Sequence, residues 1–247
     1  MTKKYDVNIK QNVNQFNEDI KKTGSYIYTV EKLSSRISNL RSSRGIAESF
    51  NFNGKTVLDV GCGDGTYTLE FPTLGVNSIL GLDPAETAIE IAKVKAHERG
   101  LDLKVKFDVG NIYDLDNYTT NNNLDCIVLR GVLHHVSNPE RAIAGLTNFK
   151  GTVIVLEPNG NNPLLKLIEK YSHYHISHEE RSFSPSTIKS WFINAGFKIY
   201  SKKVINIVPT FCPDRMARIL HTIEPLIEFI PLIRDITCGQ SIIVARK

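Results

Sequence analysis

The stretch Val57-Leu-Asp-Val-Gly-Cys-Gly-Asp-Gly65 combines residue types that could bind a charged nucleoside. Four residues that bury well, Val57 to Val60, run into three glycines at a spacing of two. Such a transition from strand to loop lets a ligand lie against bare backbone. The same loop carries two acids, Asp59 and Asp64. Because carboxylates repel a pyrophosphate, the loop is better suited to a ligand that carries positive charge.

A second acid follows where a ribose would need it. A dinucleotide fingerprint has the spacing G-x-G-x-x-G, but Thr66 stands where its third glycine would be. Further along, the apolar run Ile79-Leu-Gly-Leu ends in Asp83 and Pro84. An acid at the end of the next parallel strand is placed to accept hydrogen bonds from ribose hydroxyls. A nucleoside with a ribose, a cationic centre and no phosphate fits S-adenosylmethionine.

The elements that position these residues alternate between short apolar runs and helical patterns. The predicted strands are Val57–Val60, Ser78–Leu82, Leu103–Phe107, Asp125–Leu129, Val153–Leu156, Phe197–Val208 and Ser241–Arg246. Ala85–Gly100 has the apolar spacing and terminal glycine of a helix. Strict alternation of this kind predicts a parallel α/β sheet with right-handed crossovers. The run 117–123 is rich in asparagine and threonine and is predicted to be a surface loop.

Three motifs together resemble the class I S-adenosylmethionine-dependent methyltransferases. They are Leu58-Asp-Val-Gly-Cys-Gly-Asp-Gly65, Gly81-Leu-Asp-Pro84 and Leu124-Asp-Cys-Ile-Val-Leu-Arg-Gly-Val-Leu-His-His135. The resemblance covers roughly residues 50 to 205 and the last strand. It implies an α/β fold with a seven-stranded, mostly parallel Rossmann-like sheet and helices on both faces. It also implies S-adenosylmethionine as cofactor and methyl transfer as reaction.

The resemblance assigns cofactor-binding roles residue by residue. Asp59 should face the methionine ammonium, Asp83 should hold the ribose hydroxyls, and Asn111 should accept from the adenine amino group. The family more often has an aspartate at Asn111, and a turn asparagine is the alternative interpretation. Cys62 is expected to be a small packing residue of the loop. The predicted cofactor-binding set is Asp59, Gly61, Cys62, Gly63, Asp83, Pro84, Asn111, Ile112, Arg130 and Gly131.

Histidines are the candidates for proton transfer. The sulfonium methyl is already electrophilic, so a base is needed only for a hydroxyl or a protonated amine. His134 and His135 follow the fourth strand at the edge where open α/β sheets bind ligands, and His135 is ranked first. His175 and His178 are the fallback candidates. A metal site with His173 was considered, but the spacing fits no strong motif, and no metal is predicted.

Outside the central motifs the chain has three further predicted regions. Residues 1–50 form an N-terminal helical cover, followed by a methyltransferase domain at 51–247. Within that domain residues 157–184 are predicted to be a substrate lid, and residues 209–239 a helical insertion before the last strand. The very apolar part of the insertion, 226–232, is interpreted as core or substrate cap. A dimer contact and a membrane-surface helix are the alternatives. Lipid binding is disfavoured because the few charges, Glu224, Glu228 and Arg234, do not make a basic amphipathic face.

Composition limits the remaining possibilities. The chain has 247 residues, a net charge of +4 and four cysteines without disulfide or metal spacing. No signal peptide or membrane span is indicated, so a cytoplasmic location is predicted. The mild charge predicts no nucleic acid partner, and a homodimer is possible. The predicted function is methyl transfer to a small molecule, with oxygen slightly ahead of nitrogen or carbon. The alternative is a non-catalytic cofactor-binding or scaffold protein of the same fold, while Thr66 disfavours an NAD-dependent oxidoreductase.

Overall fold

A single twisted sheet organises the protein. The computed structural model describes residues 32–121, 123–172 and 181–247. In these ranges the strands are β1 Thr56–Val60, β2 Ser78–Asp83, β3 Val105–Val109, β4 Cys126–Arg130, β5 Thr152–Pro158, β6 Lys198–Ile205 and β7 Gln240–Arg246. Their order is β3-β2-β1-β4-β5-β7-β6. Strands β1 to β5 pair in parallel, and β7 runs antiparallel to β5 and β6. The predicted seven-stranded, mostly parallel sheet is confirmed.

Helices pack on both faces of the sheet, as predicted. In the described ranges they are α1 Leu33–Ala47, α2 Glu86–Glu98, α3 Asp116–Asn121, α4 Pro139–Ala144, α5 Pro163–Tyr171, α6 Pro185–Asn194, α7 Asp214–Phe229 and α8 Pro231–Thr237. Successive strand residues face opposite sides, so Val57 joins an apolar cluster with Ile89 of α2. Its neighbour Leu58 joins the other cluster, with Phe192 of α6. The core therefore lies in two layers.

Several local predictions fail for identifiable reasons. The loop predicted at 117–123 contains part of α3, because a helix of six residues carries no apolar repeat long enough to detect. Helix α4 went unpredicted for the same reason, although Asn138 caps it and Pro139 occupies its first turn. Pro225 lies inside the predicted helical insertion, where a proline is expected to end a helix. Helix α7 instead continues through Pro225 and ends at Phe229, before Pro231 opens α8.

The interpretation of 226–232 as core is wrong. Leu226 is 69% exposed, and Phe229 and Leu232 are each 83% exposed. A helix that packs on a protein normally buries apolar residues, but the buried face of α1 consists mainly of serines. Ser34, Ser35, Ser38 and Ser42 are buried, whereas Leu40 is exposed. These small polar side chains meet polar groups of the β6–α7 connection, such as the carbonyl of Thr210.

Candidate functional site

One cavity of about 500 Å³ opens at the carboxyl ends of the parallel strands. All predicted site residues within the described ranges line it: Asp59, Gly61, Cys62, Gly63, Asp83, Pro84, Asn111, Ile112, Arg130, Gly131, His134 and His135. They come from the ends of β1, β2, β3 and β4, which meet at the same edge because these strands are parallel. His173, His175 and His178 lie outside the described residues, and so does most of the second half of the predicted lid.

The glycine loop exposes backbone toward the cavity. Gly61 and Gly63 have φ angles of 76° and 54°, a region that side chains other than glycine rarely adopt. A Cβ at Gly61 would lie 2.5 Å from Cγ2 of Val132. Gly65 serves packing instead, since its Cβ would lie 2.8 Å from Cζ of Phe107. Gly61 and Gly63 therefore let the backbone of the loop lie close against the cavity wall. Gly65 allows the sheet and α2 to pack closely against each other.

Asp83 is fixed by two backbone amides of the loops around it. The N–H of Gly63 donates to Oδ2 at 2.9 Å, and the N–H of Ala85 donates to Oδ1 at 2.9 Å. Burial raises the pKa of this carboxyl to about 6, against the opposing effect of the two amides. Each oxygen keeps a second lone pair for a ligand hydroxyl. The arrangement fits a ribose held at the end of β2.

Asp59 is a second buried carboxyl at the opposite side of the glycine loop. Its Oδ2 accepts from Oγ1 of Thr68 at 2.6 Å, and only 4% of the residue is exposed. Burial raises its pKa to about 6, while the Thr68 hydrogen bond and the positive charge of Arg130 work in the other direction. A cationic ligand group at this position would stabilise the charged form. The arrangement fits the methionine ammonium.

Asp64 contributes less to the charge argument than the sequence indicated. Its Oδ2 lies 2.7 Å from Nζ of Lys95, which comes from α2. Its other oxygen accepts from the N–H of Thr66 at 3.2 Å. The charge of Asp64 is therefore balanced inside the protein, and the case for a cationic ligand rests on Asp59 and Asp83.

Arg130 ties helix α1 to the site. Its guanidinium lies 3.5 Å from the ring centroid of Tyr67, and Nη1 donates to Oγ of Ser43 at 2.8 Å. Nη2 donates to the carbonyl of Asn39 at 3.3 Å. Burial lowers the pKa of the guanidinium, so stacking and hydrogen bonding offset the cost of its desolvation. Arg130 thus forms part of the cavity wall beside Asp59 and keeps α1 over the site.

Asn111 and Cys62 both take local structural roles. Oδ1 of Asn111 accepts from the N–H of Tyr113 at 3.0 Å and caps the turn Ile112–Asp114. This is the geometry of a turn asparagine, and its amide nitrogen remains a donor toward the cavity. The Cys62 thiol is buried, and burial raises its pKa well above the usual range. Such a thiol is suited to packing rather than to nucleophilic chemistry.

Glu157 is a site residue that the sequence analysis missed. It is completely buried at the end of β5, where Oε1 accepts from the N–H groups of Val132 and Leu133, each at 2.7 Å. Oε2 lies 2.7 Å from Nδ1 of His134. Because a carboxylate can only accept, Nδ1 carries the proton, and a neutral imidazole then has its lone pair on Nε2. The sequence signal that could have identified Glu157 is its position at the carboxyl end of the parallel strand β5, the same kind of position that Asp83 has in β2.

The remaining wall of the cavity is formed by the elements after β5. Leu165, Ile168 and Glu169 of α5 line it, together with Arg181, Ser182 and Phe211. The Oγ of Ser182 is buried and has no hydrogen-bond partner among the described residues. No group of three or more histidine, cysteine or acidic side chains in these ranges is arranged to hold a metal ion. The cavity therefore has a charged cofactor end and a mixed apolar and polar end.

Comparison with known proteins identifies the family of this site. A family model described as a methyltransferase domain matches residues 51–202. The chain belongs to this family. With its seven-stranded sheet it is a class I S-adenosylmethionine-dependent methyltransferase, and S-adenosylmethionine is its cofactor. The residues fit that group, because glycine backbone and the two buried carboxyls of Asp59 and Asp83 line one cavity.

Individual relatives differ in what they are named for. The tRNA U34 carboxymethyltransferase of Helicobacter hepaticus is 28% identical over 174 residues, covering 67% of this chain and 54% of that protein. The mitochondrial ubiquinone biosynthesis O-methyltransferase of Rattus norvegicus is 35% identical over 95 residues, covering 37% of this chain and 26% of that protein. The crystal structure of the cyclase SpnF has a TM-score of 0.66 at 20% identity, covering 97% and 93% of the two chains.

These comparisons correct the prediction that excluded a nucleic acid partner. The chain spans about half of the length of the curated tRNA-named relatives it matches, or less. The prediction that no nucleic acid partner exists is wrong as an exclusion, because four relatives are named for acting on tRNA. A cyclase with this fold also shows that the fold alone does not determine the reaction. In the described ranges no helix is long and apolar enough to cross a membrane.

Proposed function

We propose that this protein transfers the methyl group of S-adenosylmethionine to an oxygen of a small acceptor, in the cytoplasm, with His134 as general base. The observation that carries this proposal is the contact between His134 and the buried carboxylate of Glu157. A carboxylate that holds Nδ1–H gives the ring one orientation and one tautomer. That arrangement serves an acceptor that must lose a proton, as a hydroxyl does.

The shape of the cavity supports a small acceptor. A volume of about 500 Å³ is in the range of cofactor and small-molecule sites. The glycine loop, Asp59 and Asp83 line one end of the cavity. The acceptor would therefore bind at the other end, which is lined by α5, Arg181 and Phe211. His134 and His135 lie between β4 and this second end, with ring centroids 3.9 Å apart. The sequence ranked His135 first, but the carboxylate partner moves His134 ahead.

The proposed reaction moves one methyl group and one proton. S-adenosylmethionine held by Asp59, Asp83 and the glycine loop would supply an electrophilic methyl group, with the electron pair of the broken sulfur–carbon bond staying on sulfur. His134 receives the hydroxyl proton on Nε2 as the acceptor oxygen forms its bond to the methyl carbon. Glu157 stabilises the imidazolium that results, and Asp59 holds the amino-acid end of the cofactor in line. Residues of α1 and α5 form part of the wall around the reacting groups.

Formation of S-adenosylhomocysteine in the presence of a panel of phenols, catechols and aliphatic alcohols tests the proposal. With an accepted substrate, His134→Gln should lower kcat by about 10²–10⁴ while cofactor affinity stays unchanged. His97→Gln is the matched control, since this exposed histidine also faces a carboxylate, Asp102 at 3.2 Å. Normal turnover in His134→Gln would contradict the assignment of the base. It would favour an amine, thiolate or carbon acceptor that is already primed to attack.

A tRNA acceptor is the second candidate, favoured by the names of the relatives that cover up to about two thirds of this chain. The same assay run with unmodified tRNA distinguishes the two candidates. Turnover with tRNA, and none with the small molecules, would replace the proposed acceptor class. Turnover with a small hydroxyl compound alone would support the proposal. Absence of turnover with either, despite cofactor binding, would favour the non-catalytic alternative.

A further inference from the structure

Helix α7 turns its two glutamates toward the protein and several large apolar side chains toward solvent. Ala217, Glu224 and Glu228 lie on one stripe at helical spacing, and all three face inward. On the opposite stripe Ile219 is 63% exposed and Leu226 is 69% exposed. A helix on the surface of a soluble protein normally has the reverse arrangement, with apolar residues inside. The inversion indicates that an apolar environment lies outside α7.

The inward orientation of the two glutamates is built into the fold. Oε1 of Glu228 accepts from Nε of Arg41 at 2.9 Å, and it also accepts from the backbone N–H of Asn206 at 2.9 Å. Oε1 of Glu224 accepts from the N–H of Ile207 at 3.2 Å. Asn206 itself has a φ of 71° and is held by Ser38 through its side-chain amide. These contacts turn the charges of Glu224 and Glu228 away from the outer surface of α7.

The exposed apolar side chains of α7 continue onto the helices beside it. We call this surface the apolar face. Its members are Ile219, Ile223, Leu226, Phe229 and Ile230 around α7, Leu232, Ile233 and Ile236 on α8, and Leu164, Leu167 and Tyr171 on α5, and each is more than a third exposed. Helices α5 and α8 contact each other, so the members form one surface. Contiguous exposed apolar surface of this kind marks an interaction site.

The charges that border the apolar face are mainly positive. Arg215, Arg218 and Lys170 are exposed, and none of them forms an ion pair with a carboxylate in the described ranges. The acids on the same helices are largely engaged: Glu169 binds Lys166, and Asp235 binds Lys202. Asp214 is the exposed acid at the start of α7. An apolar surface with a basic border is complementary to an anionic lipid surface.

The position of the apolar face also argues for a lipid rather than a second copy of the chain. Leu165 and Ile168 of α5 line the cavity, while Leu164 and Leu167 of the same helix belong to the apolar face. Phe211 lines the cavity and is 63% exposed just before α7. A second copy of the chain on this surface would lie across the acceptor end of the cavity and bring the arginines of two copies together. An anionic lipid surface avoids the repulsion between arginines, because its headgroups attract them.

We propose that the apolar face docks on an anionic lipid bilayer, with α7 and α8 lying in its interface. The helices are too short to span a bilayer, so the protein rests on the surface. Apolar side chains enter the headgroup boundary, and Arg215 and Arg218 meet the negative headgroups. In the sequence alone, Glu224 and Glu228 are expected to be surface charges that disfavour lipid binding, but in the structure both face inward. The fold removes that objection.

Vesicle flotation with the full chain tests the proposal. Wild type should float with vesicles of equal parts phosphatidylcholine and phosphatidylglycerol, and much less with phosphatidylcholine alone. The double variant Phe229→Ser/Leu232→Ser should lower the apparent vesicle affinity by about tenfold or more, because both side chains lose apolar contact. Leu103→Ser is the matched control, since Leu103 is 95% exposed in the turn before β3. Failure of wild type to float, or equal flotation of the double variant, would overturn the proposal.

Two further measurements separate a lipid from other partners. Arg215→Gln/Arg218→Gln should weaken binding to the anionic vesicles by about fivefold per arginine, and salt should do the same. Arg99→Gln, an exposed arginine at the end of α2, should have no effect. Light scattering should give a monomer; a stable dimer that Phe229→Ser/Leu232→Ser dissociates would overturn the lipid assignment. Cofactor binding should be equal in all variants, which keeps this test independent of the proposed reaction.

Discussion

Nδ1 of His134 lies 2.7 Å from Oε2 of Glu157, with the carboxylate buried and the imidazole partly buried at the edge of the cavity. Glu157→Gln should keep the backbone contacts to Oε1 but put an amide nitrogen, which only donates, in place of the oxygen that accepts from Nδ1–H. The imidazole then loses its fixed tautomer, and kcat should fall by at least about tenfold while cofactor affinity is unchanged. Stopped-flow or steady-state assays with an accepted substrate measure the change. A parallel loss of cofactor binding would make Glu157 a structural residue only.

Asp59→Asn should stabilise the ligand-free protein while it weakens cofactor binding. Burial raises the pKa of Asp59 from 3.8 to about 6, so the folded state binds more protons than the unfolded state between those values. Stability therefore falls as pH rises through this window, and an asparagine removes that cost, on the order of 2 kcal/mol at neutral pH. Thermal unfolding without cofactor measures it, with Asp108→Asn at an exposed site as control. A lower melting temperature for Asp59→Asn would contradict this account.

The affinity for S-adenosylmethionine should fall on acidification. Burial raises the pKa values of Asp59 and Asp83 to about 6, so both lose their negative charge below that pH. A cationic ligand then loses its attraction to Asp59, and affinity should drop by about tenfold per pH unit below 6 for each carboxylate that must be ionised. Titrations between pH 5 and pH 8 check this. They include several pH values around ~6.5, the ordinary pKa of histidine, so that a contribution from a histidine can be recognised. Constant affinity across the range would exclude ionised carboxylates from the binding site.

Gly65→Ala should destabilise the fold through overpacking. Its φ is 75°, and a Cβ there would lie 2.8 Å from Cζ of Phe107 and 2.9 Å from Cβ of Ala92. The combined strain should cost about 2–4 kcal/mol of unfolding free energy. Gly100→Ala isolates the backbone contribution, because Gly100 has a φ of 65° with nothing within 4 Å of an added Cβ. Equal losses of stability in the two variants in urea unfolding would show that packing at Gly65 is unimportant.

Much of the fold could be predicted from sequence because its signals are local. Buried parallel strands appear as short apolar runs, and the residues after them meet at one edge. For this reason the sequence predicts that Asp59, Asp83 and Arg130 lie together, and in the structure all three line one cavity. Short helices such as α3 and α4 lack enough residues for a periodic signal, and they were missed.

The remaining features depend on contacts between distant residues. Glu157 becomes part of the site only because β4 and β5 pair side by side and bring Val132 and Leu133 to its carboxylate. Glu224 and Glu228 turn inward only because α1 supplies Arg41 and the β6–α7 connection supplies backbone amides. A pattern read along the chain contains neither relationship, so it placed the acids of α7 on the surface and its apolar residues in the core.

Calorimetric titration of the full chain with S-adenosylhomocysteine tests the central claim most directly: that the cofactor lies over the glycine loop with its ribose at Asp83. Wild type should bind one equivalent, and Asp83→Ala should weaken binding by about 1–3 kcal/mol because charge-assisted hydrogen bonds are lost. Asp108→Ala, at an exposed acid of the neighbouring strand β3, should leave the affinity unchanged. Equal affinity of Asp83→Ala and wild type would remove Asp83 from the site and contradict the account.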